Sequence, residues 1–149
     1  MTTFDDRLLR PDLDDPHGSP FWHHCHAGDL RIQACTGCGR LRHPPRPMCP
    51  WCQGTGHEWR RMSGRGRIWS FVKVHPPLLP AYGEHAPYNA IVVELGEDST
   101  IRLVGNLVSG PEGTLEEIDA GTIEIGEPVE VCFQQIAEDV TLPRWRRSS

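Results

Sequence analysis

Cys35-Thr36-Gly37-Cys38-Gly39-Arg40-Leu41-Arg42-His43-Pro44-Pro45-Arg46-Pro47-Met48-Cys49-Pro50-Trp51-Cys52 holds two Cys-x-x-Cys pairs within 18 residues. Two residues between cysteines let both sulfurs point at one ion from a tight turn. Gly37 and Gly39 allow the backbone bends that aim amide N–H groups at the thiolates. Two such turns supply four sulfurs, the tetrahedral set of structural zinc, and leave no open position for a catalytic water. A disulfide oxidoreductase also uses this motif, but it needs a helix N-terminus in a thioredoxin-like βαβ unit. No such unit follows, and a second pair lies close by. Cys35, Cys38, Cys49 and Cys52 are therefore read as ligands of a structural Zn2+ that holds together a ribbon with little core of its own.

The other two cysteines do not extend the site. Cys25 stands among His23, His24 and His26, where His23 and His26 share a helix face and Cys25 points elsewhere. Cys132 falls mid-strand and reads as core. Residues 1–18, with five aspartates, Pro11 and Pro16, read as an extended, partly mobile arm. Ser19 then serves as N-cap with Pro20 at the first helical position. The helix should run to Ala27 and stop at Gly28, with Phe21, Trp22 and Cys25 on one face. A short strand over 30–34 leads into the first cysteine pair.

From Ile68 the pattern is β. Strands are expected over 68–74, 88–95, 100–108, 129–133 and 140–142. A proline-rich loop occupies 76–87, a hairpin turn 96–99 and one helical turn 114–120, with Gly105 at a bulge or bend. Five short strands with one longer connection fit a small OB-type barrel. The fold class is thus mainly β: an N-terminal helix, a rubredoxin-like zinc ribbon, then a five-stranded OB-fold barrel. The expected divisions are an arm over 1–18, helix and ribbon over 19–62, and barrel with C-terminal tail over 63–149.

Composition agrees. Of 149 residues, 15 are Gly and 14 Pro, about a fifth of the chain, which argues against a helix bundle. No run approaches the roughly 20 apolar residues of a membrane span, and no basic segment with an apolar core begins the chain. A reducing, cytoplasmic setting is expected, which also suits free thiolates. The net charge of −5 hides three regions: −4 over 1–30, +7 over 31–67 and −8 over 68–149. The middle is arginine-rich. No nucleophile elbow, phosphate loop or dinucleotide fingerprint occurs, so no catalytic residue is assigned.

Pro20-Phe21-Trp22, the ribbon from Cys35 to Cys52, Glu58-Trp59, Ser63-Gly64-Arg65-Gly66, Pro87-Tyr88, Gly105-Asn106-Leu107 and Ile125-Gly126-x-Pro128-Val129 occur in an order that resembles the DUF35 family of acyl-CoA-associated proteins. The resemblance runs from about residue 19 to 145. It implies a rubredoxin-like zinc ribbon followed by an OB-fold. It also implies a non-catalytic subunit that pairs with a thiolase-superfamily enzyme, such as a thiolase or steroid side-chain aldolase, in a hetero-oligomer built on a dimeric partner. A MaoC-type enoyl-CoA hydratase is the alternative partner. A CoA thioester bound jointly with the partner would find bidentate groups for its phosphates in Arg40, Arg42, Arg46, Arg65 and Arg67; the other reading is a solvated face that offsets the zinc–thiolate charge. Phe21, Trp22, Leu78, Leu79, Tyr82 and Trp145 are candidates for the partner interface. Against this, Leu78 and Leu79 could instead cap the barrel, and Trp145 could belong to a disordered tail. Single-stranded nucleic acid is the remaining class: Trp69 and Phe71 could stack bases, but the acidic barrel opposes phosphate.

Overall fold

A computed structural model describes residues 3–148. Helix α1 spans Ser19–His26, beginning one residue earlier than the N-cap expectation because Gly18 takes the cap position. Asp15 supports this start: its Oδ2 accepts from the Gly18 N–H, and its carbonyl accepts from the Ser19 N–H. With eight residues, the helix depends on docking, and its buried Phe21 and Cys25 supply it.

The ribbon is a three-stranded antiparallel sheet. Strand β1 (Arg31–Cys35) lies between β2 (Leu41–Arg42) and β3 (His57–Arg61). Strand β1 matches the sequence expectation to within one residue. Strands β2 and β3 were not foreseen, since two residues between Gly39-Arg40 and His43-Pro44 and a charged HEWRR run carry little strand signal.

The second sheet has β4 (Arg65–Val74), β5 (Tyr88–Leu95), β6 (Arg102–Gly105), β7 (Pro128–Ala137) and β8 (Val140–Arg147), in the order β6-β5-β4-β7-β8. It curls until the segment after β6 meets β8. There Leu107 pairs with Trp145, the Val108 N–H donates to the Trp145 carbonyl at 2.8 Å, and the Trp145 N–H donates to the Asn106 carbonyl at 3.1 Å. The result is the expected five-stranded, nearly closed OB barrel. A four-residue helix, α2 (Pro80–Gly83), forms within the proline-rich loop. The turn expected over 114–120 appears instead as a 3-10 turn at Ala120–Thr122, capped by Asp119. No helix among the described residues is long and apolar enough to cross a membrane.

One core runs through all three parts. Phe21 and Cys25 of α1, Ile32, Ala34 and Leu41 of the ribbon, and Ile68, Ile91, Val93, Leu107, Val129 and Trp145 of the barrel form a single buried cluster. Residues 5–9 lie against the same body: Arg7 joins Asp5 and Glu84 at 2.8 and 2.7 Å, and the Leu9 N–H donates to the Tyr82 hydroxyl at 2.9 Å.

Candidate metal centre and interaction surfaces

The cysteine centre forms where β1 ends. The Gly39 N–H donates to the Cys35 carbonyl, and the Gln53 N–H donates to the Cys49 carbonyl, each at 2.9 Å, so the two Cys-x-x-Cys turns are built alike. Gly39 adopts φ +79° and Gln53 φ +63° at equivalent positions. Gly37 and Cys38 N–H groups donate to the Cys35 sulfur at 3.3 and 3.5 Å, and the Gly54 N–H donates to Cys52 at 3.4 Å. Led by the Cys38 N–H, the bonds to its own sulfur hold the Cys35 thiol down at about 6.

The four sulfurs lie within 4.8 Å of one another, with Cys35–Cys52 at 3.5 Å and Cys38–Cys49 at 3.6 Å. Zn–S bonds of about 2.3 Å in a tetrahedron require sulfurs about 3.8 Å apart, so the donor set and its geometry fit zinc. Cys35 and Cys49 face inward while Cys38 and Cys52 are exposed. Among the described residues this is the one such group of metal-binding side chains. Cys25 is fully buried, and burial pushes its thiol up to about 12; Cys132 is buried as well.

The five candidate arginines do not form one patch. Arg42 corrects the sequence expectation, because it is only 2% exposed. Its Nε donates to Gln33 Oε1 at 2.8 Å and its Nη2 to the Arg46 carbonyl at 3.2 Å, so it braces the loop between the cysteine pairs. Gln33 also binds both the N–H and the carbonyl of Arg46. The Arg46 side chain remains exposed, and Arg40 stacks over exposed Trp51 at the ribbon tip, 5.2 Å from the ring centre. Arg65 and Arg67 line a separate hollow of about 550 Å³. There Arg65 stands opposite Glu130 and Arg67 opposite Glu94 in the strand register, so the hollow carries both signs of charge.

The interface candidates divide similarly. Trp145 is fully buried on β8, which extends through the residues expected as a tail. Phe21 is also core. Neither can anchor a partner, because each already fills the joint between helix, ribbon and barrel. Leu79 is 54% exposed; Trp22, Leu78 and Tyr82 are half-buried. A further apolar face was missed: Val104 (76% exposed) and Val72 (59%) lie on the outer side of β4–β6. Val104 alternates with buried Ile101 and Leu103, so its signal was there in the period-two pattern, whereas Val72 faces outward only because the bulge before Ser70 breaks that period. Trp69 and Phe71 do not pair. The register shifts between Ile68 and Ser70, so the bulge turns Trp69 outward under Arg102, 3.9 Å from the ring centre, while Phe71 packs against the core.

Comparison with known proteins places these features. Residues 22–58 match the family model of the ChsH2 rubredoxin-like zinc ribbon domain, and residues 59–134 match that of the ChsH2 C-terminal OB-fold domain. A probable enoyl-CoA hydratase alpha subunit of Thermomonospora curvata is 35% identical over 94% of the chain, which spans 40% of that protein's length. A DUF35 domain-containing scaffold protein of Methanothermobacter thermautotrophicus is 32% identical over 74% of the chain and 76% of its own. Among solved structures, one chain of the Ltp2-ChsH2(DUF35) aldolase superposes with a TM-score of 0.80 at 33% identity, covering 94% of this chain and all of that one.

Proposed function

The chain belongs to the DUF35 family of ChsH2-type zinc-ribbon and OB-fold proteins, and from that premise we propose that it is a non-catalytic subunit that docks on a thiolase-superfamily acyl-CoA enzyme and supports its activity. The observation that carries this reading is the end-to-end likeness to the DUF35 chain of an aldolase complex. The site chemistry agrees with it. The sulfur cluster is closed and structural, and the large exposed hydrophobic side chains include Trp51 at the ribbon tip, Leu79 on the loop, and Val72 and Val104 on the barrel. Surface of this kind suits a partner better than a substrate. Arg65 and Arg67, with Arg40 and Arg46 at a distance, remain the groups that would meet CoA phosphates; Arg42 drops out.

Co-expression with thiolase-superfamily proteins of the same organism tests the proposal. A stable complex whose retro-aldol or thiolytic turnover falls when this chain is omitted supports it. Separate elution with unchanged turnover contradicts it. The hydratase alpha subunit name of one relative favours a second reading, a MaoC-type hydratase partner, and the same experiment with that partner class decides between them.

A further inference from the structure

A pocket of about 300 Å³ opens between the outer face of the barrel and β8. Trp22, Val104, Leu142 and Pro143 give it apolar walls, and Arg144, Tyr82 and Tyr88 bring polar groups to it. Arg144 is the unusual member. Its Nε donates to Gln134 Oε1 at 2.9 Å and its Nη1 to Asn106 Oδ1 at 2.6 Å, both neutral amides. Among the described residues no carboxylate pairs with it, whereas Arg146 and Arg147 on the same strand hold Glu130 and Glu127 at 2.8 and 2.7 Å.

Tyr82 and Tyr88 line the pocket with Arg144, and Cys132 stands opposite Arg144 in the strand register. Arg144 is half-buried, and a guanidinium partly drawn out of water with only neutral partners carries a cost that an anion would offset. Its planar fork matches the two oxygens of a carboxylate. The Tyr82 hydroxyl accepts from the Leu9 N–H at 2.9 Å, so its own proton is free to be donated. A single cation beside hydrocarbon walls suits a monoanion with an apolar body better than a phosphate, which needs several cationic donors.

We propose that Arg144, with Tyr82 and Tyr88, binds the carboxylate of a small apolar acid, whose hydrocarbon lies along Trp22, Val104 and Pro143. The site is separate from the zinc centre and does not require the partner enzyme.

Octanoate titrated into the full zinc-loaded chain, followed by calorimetry and amide chemical shifts, tests this. Saturable binding is expected, with octan-1-ol weaker by about tenfold because it lacks the charge. Arg144→Gln should weaken octanoate by about tenfold or more, and Tyr88→Phe by about threefold. No saturation at about 10 mM octanoate overturns the proposal. So does octanol binding as tightly as octanoate, or undiminished binding by a folded Arg144→Gln. Should that variant fail to fold, the octanoate-to-octanol ratio and Tyr88→Phe decide in the same directions. Because no partner enzyme is present, failure here leaves the docking proposal standing.

Discussion

At the residue scale, the four cysteines were fully legible because Cys-x-x-Cys spacing is a geometric constraint that survives without any knowledge of the fold. Cys49→Ser removes a buried ligand and should abolish stoichiometric zinc binding, measured by metal analysis of reduced protein. Thermal unfolding should fall with it, since structural zinc supplies on the order of 10 kcal/mol to sites of this size. His43 was not legible as special. It lies against Phe21, 5.2 Å between ring centres, with its Nδ1 buried and unpaired. Burial lowers its imidazole from 6.5 to about 4. The unfolded chain therefore binds a proton that the folded chain refuses between these values. Stability from the neutral ring is fully present above pH 6.5 and is lost as pH falls toward 4. Denaturant titrations at pH 7 and pH 5 should show a smaller loss for His43→Gln than for the native chain.

At the element scale, strands with alternating apolar residues were readable, while β2 and β3 were not, because ribbon strands are held by the metal turns and by pairing to β1. Residues 144–147 show the other kind of miss. Arg-Trp-Arg-Arg resembles a solvated tail, yet Trp145 is the plug that closes the barrel against Leu107. Gly105 explains how the ring fits: a Cβ there would stand 2.9 Å from Trp145 Cδ1 and 3.1 Å from Nε1. Gly105→Ala should cost about 1–3 kcal/mol through overpacking. Trp145→Ala should cost about 3–5 kcal/mol through the cavity it leaves. The double variant should cost less than their sum, since removing the ring removes the clash; equilibrium urea unfolding reads all three.

At the scale of the whole molecule, the sequence suggests a ribbon and a barrel as successive parts, whereas the structure gives them one hydrophobic core shared with α1. That continuity is invisible in a single sequence, because it depends on which faces of separate elements meet. It predicts that chelation of zinc exposes amides of β4, β5 and β8 to hydrogen exchange as well as those of β1–β3; protection confined to an intact barrel would contradict it. The same continuity leaves the ribbon tip, the α2 loop and the outer barrel face fixed relative to one another, as a rigid docking body requires. Native mass spectrometry of this chain co-expressed with thiolase-superfamily proteins from its own organism tests the central claim most directly. The account predicts a hetero-oligomer containing this chain with one zinc per copy; recovery of this chain only as a free species, apart from every such protein, would contradict it.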